Sequence, residues 1–213
     1  MKAALLGFLG LLTSGCLAGP VDRIDASVVF VDREERVVAQ ALVRGEITVA
    51  FPLLRGALFG DPDSDPIAVA RVAPSGRLTL DLEPFRATLD WMAETLNEED
   101  RAEGIGVSPP DTRLARIGTF SFDSRSRKAI GGGGFRDESN GDGLLLAYFA
   151  RPCRVTGDFV DEEGEFHHDV RIQEAGIHWI RMRQTAPGKY VLEAAAPDIR
   201  PTFLVIVTEM MAF

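Results

Sequence analysis

One acidic segment combines carboxylates and histidine at a regular spacing. Glu163, Glu165, His167 and Asp169 alternate along it, so on a β-strand their side chains point to one face, about 7 Å from each to the next. Carboxylates and an imidazole at that spacing can bind a divalent metal such as Zn²⁺. The alternative is a solvated acidic strand, which resists pairing with foreign strands. The pattern favours the solvated strand, because no second histidine cluster completes a metal site.

A second candidate metal site is the segment GDPDSDP. Its residues Asp61, Asp63 and Asp65 have the alternating spacing that opens many calcium loops, whose carboxylate oxygens suit Ca²⁺. Pro66 stands where such a loop needs glycine, and Val72 stands where it needs a bidentate glutamate. A turn rich in helix-breaking residues accounts for the same pattern. No cofactor is therefore predicted, and Ca²⁺ or Zn²⁺ remains the alternative.

Cysteine chemistry is limited to two positions, Cys16 and Cys153. For Cys153 the ordinary interpretation is a small core or edge residue. The alternative is a nucleophile whose pKa the flanking Arg151 and Arg154 would lower, but no histidine or acid partner can be assigned to it from the sequence. His178 is expected to be a sheet-surface or core histidine with a hydrogen-bonded ring.

Motifs that the sequence lacks narrow its function. It contains no Gly-x-Ser-x-Gly, no Walker phosphate loop, no His-Glu-x-x-His, no Cys-x-x-Cys and no Gly-x-Gly-x-x-Gly after a strand. The glycine run at 131–134 is expected to lie in a flexible polar loop that extends to Gly143. Within that loop the segment DESNGDG, residues 137–143, is either a cation site or a plain solvated turn.

Composition and charge exclude further classes. The chain has 213 residues, of which 46% are hydrophobic and 26% charged, the balance of a globular protein with a buried core. Its formal net charge is −9. No stripe of lysine and arginine appears, so a nucleic-acid surface is not expected. The same acidity disfavours simple adhesion to anionic lipid.

The first 20 residues, MKAALLGFLGLLTSGCLAGP, resemble a secretory signal that is too short to span a bilayer. The small residues TSG directly before Cys16 resemble a bacterial lipobox, in which the cysteine becomes the acylated first residue of the mature chain. We therefore predict a lipoprotein signal peptide over 1–15 and a tether over 16–20. The protein is expected at the cell envelope, anchored to a membrane by lipid and facing the periplasm or exterior. Ordinary signal-peptidase cleavage after Ala18 is the alternative.

The remaining residues are dominated by strand signals. Valine-rich runs at 28–31 and 37–43 flank a polar DREE segment, which predicts a hairpin. Residues 67–72, an APSG turn and the alternating leucines of residues 77–82 predict a second hairpin with one buried side. Residues 202–207 are apolar enough to be buried on both faces.

One helix interrupts these strands. Pro84 suits a first helical position, and Phe85, Leu89, Met92 and Leu96 follow at helical spacing on one face. The acidic run Glu-Glu-Asp after Asn97 is expected to end the helix.

Together these signals predict a mainly β fold, an antiparallel β-sandwich of one or two β units with a single amphipathic helix. The expected organisation is an N-terminal β unit over 21–82, a helix and linker over 83–111, and a C-terminal β-sandwich unit over 112–213. A single continuous domain is the alternative.

Three segments resemble a known group of proteins. They are AYFARPCRVTG at 147–157, EAGIHW at 174–179 and VAPSGRL at 72–78. They are similar to segments of uncharacterised bacterial secreted lipoproteins of the cell envelope, in which a tyrosine-containing strand leads into a Val-x-Gly strand and a later strand opens with an Ala-Gly-aromatic step. Here Ile177 and His178 precede the aromatic residue. The resemblance implies a β-sandwich lipoprotein of the envelope and no established activity.

The leading hypothesis is a non-enzymatic binding or structural module of the envelope, with a possible envelope protein as partner and no nucleic acid. A metal-assisted hydrolase that uses the acidic and histidine-bearing strand face is the first alternative. The second is an assembly role in which a sheet edge accepts a strand from a partner.

Overall fold

The computed structural model describes residues 19–38, 46–55, 66–123 and 128–207. Within them the chain forms fifteen β-strands and two short α-helices. The strands are β1 Arg23–Val31, β2 Val37–Val38, β3 Ile47–Arg55, β4 Pro66–Arg71, β5 Arg77–Asp81, β6 Gly106–Ser108, β7 Leu114–Ile117, β8 Phe120–Asp123, β9 Lys128–Asp137, β10 Gly143–Phe149, β11 Cys153–Val160, β12 Glu165–Ile172, β13 Gly176–Ala186, β14 Lys189–Ala194 and β15 Pro201–Ile206. The helices are α1 Arg86–Met92 and α2 Glu98–Ala102. The prediction of a mainly β fold is confirmed.

The strands pair into one large mixed sheet. Strands β3, β7, β10, β9 and β8 pair in a closed circuit. From β10 the sheet continues through β13, β14, β12 and β11 to β6. Most pairings are antiparallel, but β1 pairs with β15, and β12 with β14, in parallel. The expected wholly antiparallel pairing is wrong at these two pairs. In each pair, other strands separate the partners along the sequence, so the chain can return in the same direction.

Two apolar cores lie on opposite faces of β10 and β13. Alternate residues of β13 enter different cores, since Trp179 belongs to the first core and Ile180 to the second. Leu146 and Ala147 of β10 divide in the same way. These central strands are apolar on both faces because each face packs against further strands.

The glycine run differs most from the sequence expectation, because residues 131–134 belong to β9 and not to a loop. The ring of Phe203, which is 0% exposed, lies against Gly133. A Cβ atom added at Gly133 would lie 2.2 Å from Cζ of Phe203. The missing side chain therefore lets this aromatic ring approach the backbone of β9, with which β15 pairs.

The predicted hairpin of residues 67–72 and 77–82 is correct in its turn and wrong in its pairing. Gly76 N donates to the carbonyl of Ala73 at 2.9 Å, which closes the turn. Beyond one isolated bridge between Val72 and Leu78 the strands diverge, since β4 pairs with β3 and β5 with β1. Each of them pairs instead with a longer strand, because β3 and β1 have 9 residues each. The other predicted hairpin forms between β1 and β2, and residues 39–43 lie outside the described part of the chain.

The predicted helix is divided into shorter elements. A 3-10 turn at Glu83–Phe85 precedes α1, and the backbone becomes extended at Ala93. The acidic run that was expected to end the helix forms α2. Leu89 points into the first core, whereas Leu96 lies beyond α1 and packs into the second core.

A carboxylate in α1 fastens the helix to the sheet. Asp90 Oδ1 accepts hydrogen bonds from the hydroxyl of Tyr148 at 2.9 Å and from Nη2 of Arg113 at 2.7 Å. Burial, together with this bond to Asp90, raises the pKa of Tyr148 to about 12.

Strands from both ends of the described chain share the sheet, since β1 pairs with β15 and β3 with β7. The division into units at 21–82, 83–111 and 112–213 stays a prediction.

Strand β15 alternates in burial, with Val205 at 0% and Ile206 at 38% exposure. The prediction that both of its faces are buried is therefore wrong, because one face meets solvent. In the described parts of the chain, neither α1 nor α2 could span a bilayer, since the longer of them has 7 residues.

Candidate functional site

The predicted metal-ligating residues lie on β12. Glu165 and His167 are exposed and Asp169 is half-buried, whereas the intervening Phe166 and His168 are buried. The expectation that these side chains share one strand face is confirmed for Glu165, His167 and Asp169, but not for Glu163, which lies in the turn before β12. We call this solvent-facing side of β11, β12, β14 and the second half of β13 the outer face.

Each of these three side chains is paired with a neighbour. Lys189 Nζ donates to Oε2 of Glu165 at 2.7 Å, and Nδ1 of His167 lies 2.7 Å from Oδ1 of Asp158. Arg154 donates from Nη2 to Oδ1 of Asp169 at 2.9 Å. These three pairings are separate and have no common centre.

The pairings also bear on metal binding. The hydrogen bond from Arg154 lowers the pKa of the Asp169 carboxyl below its usual range, so Asp169 is held ionised against an arginine. Among the described residues no group of three or more His, Cys, Asp or Glu could hold a metal ion. The other predicted ligands, Asp61, Asp63 and Asp65, lie outside the described residues, as does Cys16.

Arginines gather beside Asp169. Asp169 and Glu193 are register partners on β12 and β14. Arg181 Nη2 donates to Oε1 of Glu193 at 2.6 Å, and Nε of Arg183 lies 3.7 Å from the same oxygen. Nε of Arg171 lies 3.5 Å from Oδ1 of Asp169.

We call Arg154, Arg171, Arg181 and Arg183 the arginine cluster. Sequence reasoning missed it, because its members come from three strands and form no run. The signal that could have found them is the period of two on each strand, which places every second residue on the same face.

At the other end of the outer face lies a shallow groove of about 200 Å³. His167, Lys189, Thr185 and Val191 are among its lining residues. Phe166 and Tyr190 also line it, and their rings stack with centroids 5.0 Å apart. The groove offers both donors and acceptors to a ligand. The bond between Asp158 and Nδ1 of His167 fixes the imidazole orientation and does not involve Nε2.

On the opposite side of β12, His168 is 0% exposed. Neither of its ring nitrogens makes a hydrogen bond of good geometry among the described residues, and its nearest polar neighbour is the backbone of Gly157, the residue opposite on β11. Burial lowers the pKa of His168 below its usual value, because a charged imidazolium would lose its hydration there. The alternation of the strand places His168 opposite the acidic face, but its complete burial was not predicted.

Cys153 is buried in the second core, as the ordinary interpretation predicted. Burial raises the pKa of its thiol to about 11, so the reactive thiolate is disfavoured. The flanking arginines are directed to carboxylates, Arg151 to Asp111 at 3.1 Å and Arg154 to Asp169. They do not provide the activation that the nucleophile interpretation needs.

Two further sequence candidates have structural roles. His178 is buried, with Nε2 2.9 Å from the carbonyl of Glu174, which confirms the predicted hydrogen-bonded core histidine. In the turn after β9, Oδ1 of Asp137 accepts from the backbone N of Ser139 at 3.0 Å and from its hydroxyl at 2.9 Å. That carboxylate oxygen is therefore used to shape its own turn.

These features define a mainly β protein with one extended, charged and solvent-facing sheet surface. No protein-family model, no characterised protein and no solved structure matches the chain. The residues of the outer face are therefore the basis on which its function is inferred.

Proposed function

We propose that this chain is a lipid-anchored protein of the cell envelope that binds a partner through its outer face and does not act as an enzyme. A sandwich arrangement of its strands belongs to the same proposal, and the two cores on opposite faces of β10 and β13 support it. The resemblance to secreted envelope lipoproteins points the same way.

The pairing of charges on the outer face carries the proposal. Glu165, Asp169 and Glu193 each contact a cationic side chain from a neighbouring strand. A general base or a metal ligand needs a carboxylate directed at a substrate or metal, whereas these are directed at cations. Charges held in fixed positions on a sheet surface instead favour recognition, because they select a partner of complementary charge.

The proposed anchor fits the start of the described chain. Val21 N donates to the carbonyl of Ile177 at 2.6 Å, which holds the chain to the beginning of β13. Four residues separate Cys16 from Val21, and the five residue-to-residue steps between them span at most about 18 Å when fully extended. A lipid on Cys16 would therefore keep this end of β13 close to the membrane and leave the outer face available to a partner.

We expect Cys16→Ser to release the protein from membranes, because the acyl chains would have no attachment point. The measurement is the distribution of the full-length chain between membrane and soluble fractions of cells. Cys153→Ser is the matched control, since it removes the other cysteine and should leave the protein with the membranes.

Equal partition of the Cys16→Ser variant and the wild type would contradict the anchor. Release by Cys153→Ser would contradict it as well, because Cys153 is buried in the second core and cannot carry the lipid.

A further inference from the structure

We propose that the arginine cluster binds an acidic, extended segment of a partner protein. This inference rests on the proposed binding function and names the partner class for one end of the outer face.

The cluster is positioned by strand register. Arg154 on β11 and Arg171 on β12 lie directly opposite each other, and Asp169 is the carboxylate that both approach. Like charges directly opposite each other destabilise a pair of strands. The single negative charge of Asp169 neutralises only part of the positive charge of the two guanidinium groups. An incoming anion would therefore relieve the repulsion that remains between them.

A second unit of the same kind lies beside the first. Arg181 and Arg183 on β13 share Glu193, and Glu193 is adjacent to Asp169 through the pairing of β14 with β12. The two units together contain four arginines and two carboxylates. Asp142 lies 4.0 Å from Arg181 and adds a third negative charge. The cluster is therefore a locally positive region in a chain whose net charge is −9.

The arginines keep binding capacity for a partner. Arg154, Arg171 and Arg183 are 51%, 61% and 45% exposed. Each guanidinium has five N–H donors, more than one carboxylate oxygen can accept. Arg154 directs both Nε and Nη2 to a single oxygen of Asp169. Carboxylates of a partner can bind the remaining donors in a bidentate manner.

The shape of the cluster selects an extended peptide. Its arginines lie on β11, β12 and β13, and β14 with Glu193 lies between β12 and β13, so the cluster extends across four adjacent strands, or about 15 Å at the usual strand spacing. About five residues of an extended segment cover the same distance. An anionic membrane is disfavoured, because its wide charged surface would also face the acidic remainder of the chain, whereas a short peptide would contact the cluster alone.

The test uses a fluorescent hexaglutamate peptide and the purified full chain, with fluorescence anisotropy as the measurement. We expect the wild type to bind the peptide in about 50 mM salt and to bind it more weakly in about 300 mM salt, because the contacts are exposed. The double variant Arg171→Glu/Arg183→Glu should bind at least about tenfold more weakly. These two arginines are chosen because they make the longer contacts to Asp169 and Glu193, so the fold depends on them less.

The matched control is Arg33→Glu/Arg77→Glu, which changes the net charge equally on other parts of the chain and should bind like the wild type. Arg171→Gln/Arg183→Gln is a milder version in case the charge reversal disturbs folding, which circular dichroism would detect. Equal binding by the cluster and control variants would overturn the proposal, as would absence of binding by the wild type. Binding to phosphatidylglycerol vesicles that exceeds binding to uncharged phosphatidylcholine vesicles, and that the cluster variant loses, would also overturn it, because a lipid on Cys16 acts equally on both kinds of vesicle.

None of these three results depends on whether Cys16 carries a lipid or on the metal content of the protein. A failure of peptide binding is therefore distinguishable from a failure of the proposed function.

Discussion

Replacement of His168 by phenylalanine is expected to abolish most of the loss of stability that the wild type shows when the pH falls from about 7 to about 5. In the native state burial lowers the pKa of His168 below the ordinary value of 6.5. The unfolded chain therefore takes up a proton below pH 6.5 that the native protein does not bind. The contribution of His168 to the free energy of unfolding is fully present above that pH. It falls as the pH drops through 6.5 towards the lower native pKa, by at most about 1.4 kcal/mol per pH unit.

The measurement is urea unfolding of wild type and variant at several pH values in this range. The chain contains three histidines, so His167→Gln serves as the exposed neighbouring control and should keep the acid response. A His168→Phe variant that loses stability with acid as steeply as the wild type would contradict the assignment. If the variant folds poorly, NMR of the wild type decides the matter, since the His168 imidazole should remain neutral at a pH where unfolded histidine is charged.

Gly133→Ala is expected to destabilise the fold by about 1–3 kcal/mol, the usual cost of overpacking a core. The added methyl group would lie 2.2 Å from Cζ of Phe203 and 2.9 Å from Cε1 of the same ring. Phe203 is 0% exposed, so its ring cannot turn away without disturbing the first core. Thermal or urea unfolding measures the change.

Gly134→Ala is the matched control, one residue further along β9. No atom lies within 4 Å of a Cβ added at Gly134. This substitution should be neutral or stabilising by up to about 1 kcal/mol, because alanine loses less backbone entropy than glycine on folding. Equal effects of the two substitutions would contradict the close approach of Phe203 to β9.

Local sequence patterns predicted those parts of the fold in which neighbouring residues determine the structure. The turn around Gly76, the alternation of Glu165 and His167 with buried residues, and the burial of Cys153 follow from spacing and residue type. Leu89 and Leu96 were correctly expected in the interior. The backbone between them leaves the helix at Ala93, because Glu94 forms a bridge with Leu114 instead.

The remaining features depend on residues far apart in the chain. The glycine run forms a strand by pairing with β8 and with β15, and the ring of Phe203 on β15, some seventy residues later, occupies the space beside Gly133. The pairing of β4 with β3, and not with its neighbour β5, likewise depends on a strand that lies further away in the sequence. For the candidate site, the sequence predicted the face of β12 but not the cations of β11 and β14 that pair with its carboxylates. Those pairings turn a possible metal site into a charged surface.

Intact mass spectrometry of the mature protein from its native membrane fraction, with metal analysis of the same sample, shows directly whether this is a lipid-anchored protein without a metal. We expect a chain that starts at Cys16, carries acyl groups and holds no stoichiometric metal. A chain that starts at Gly19 without lipid and carries one equivalent of zinc or calcium would contradict it. That result would favour a metal-assisted hydrolase instead.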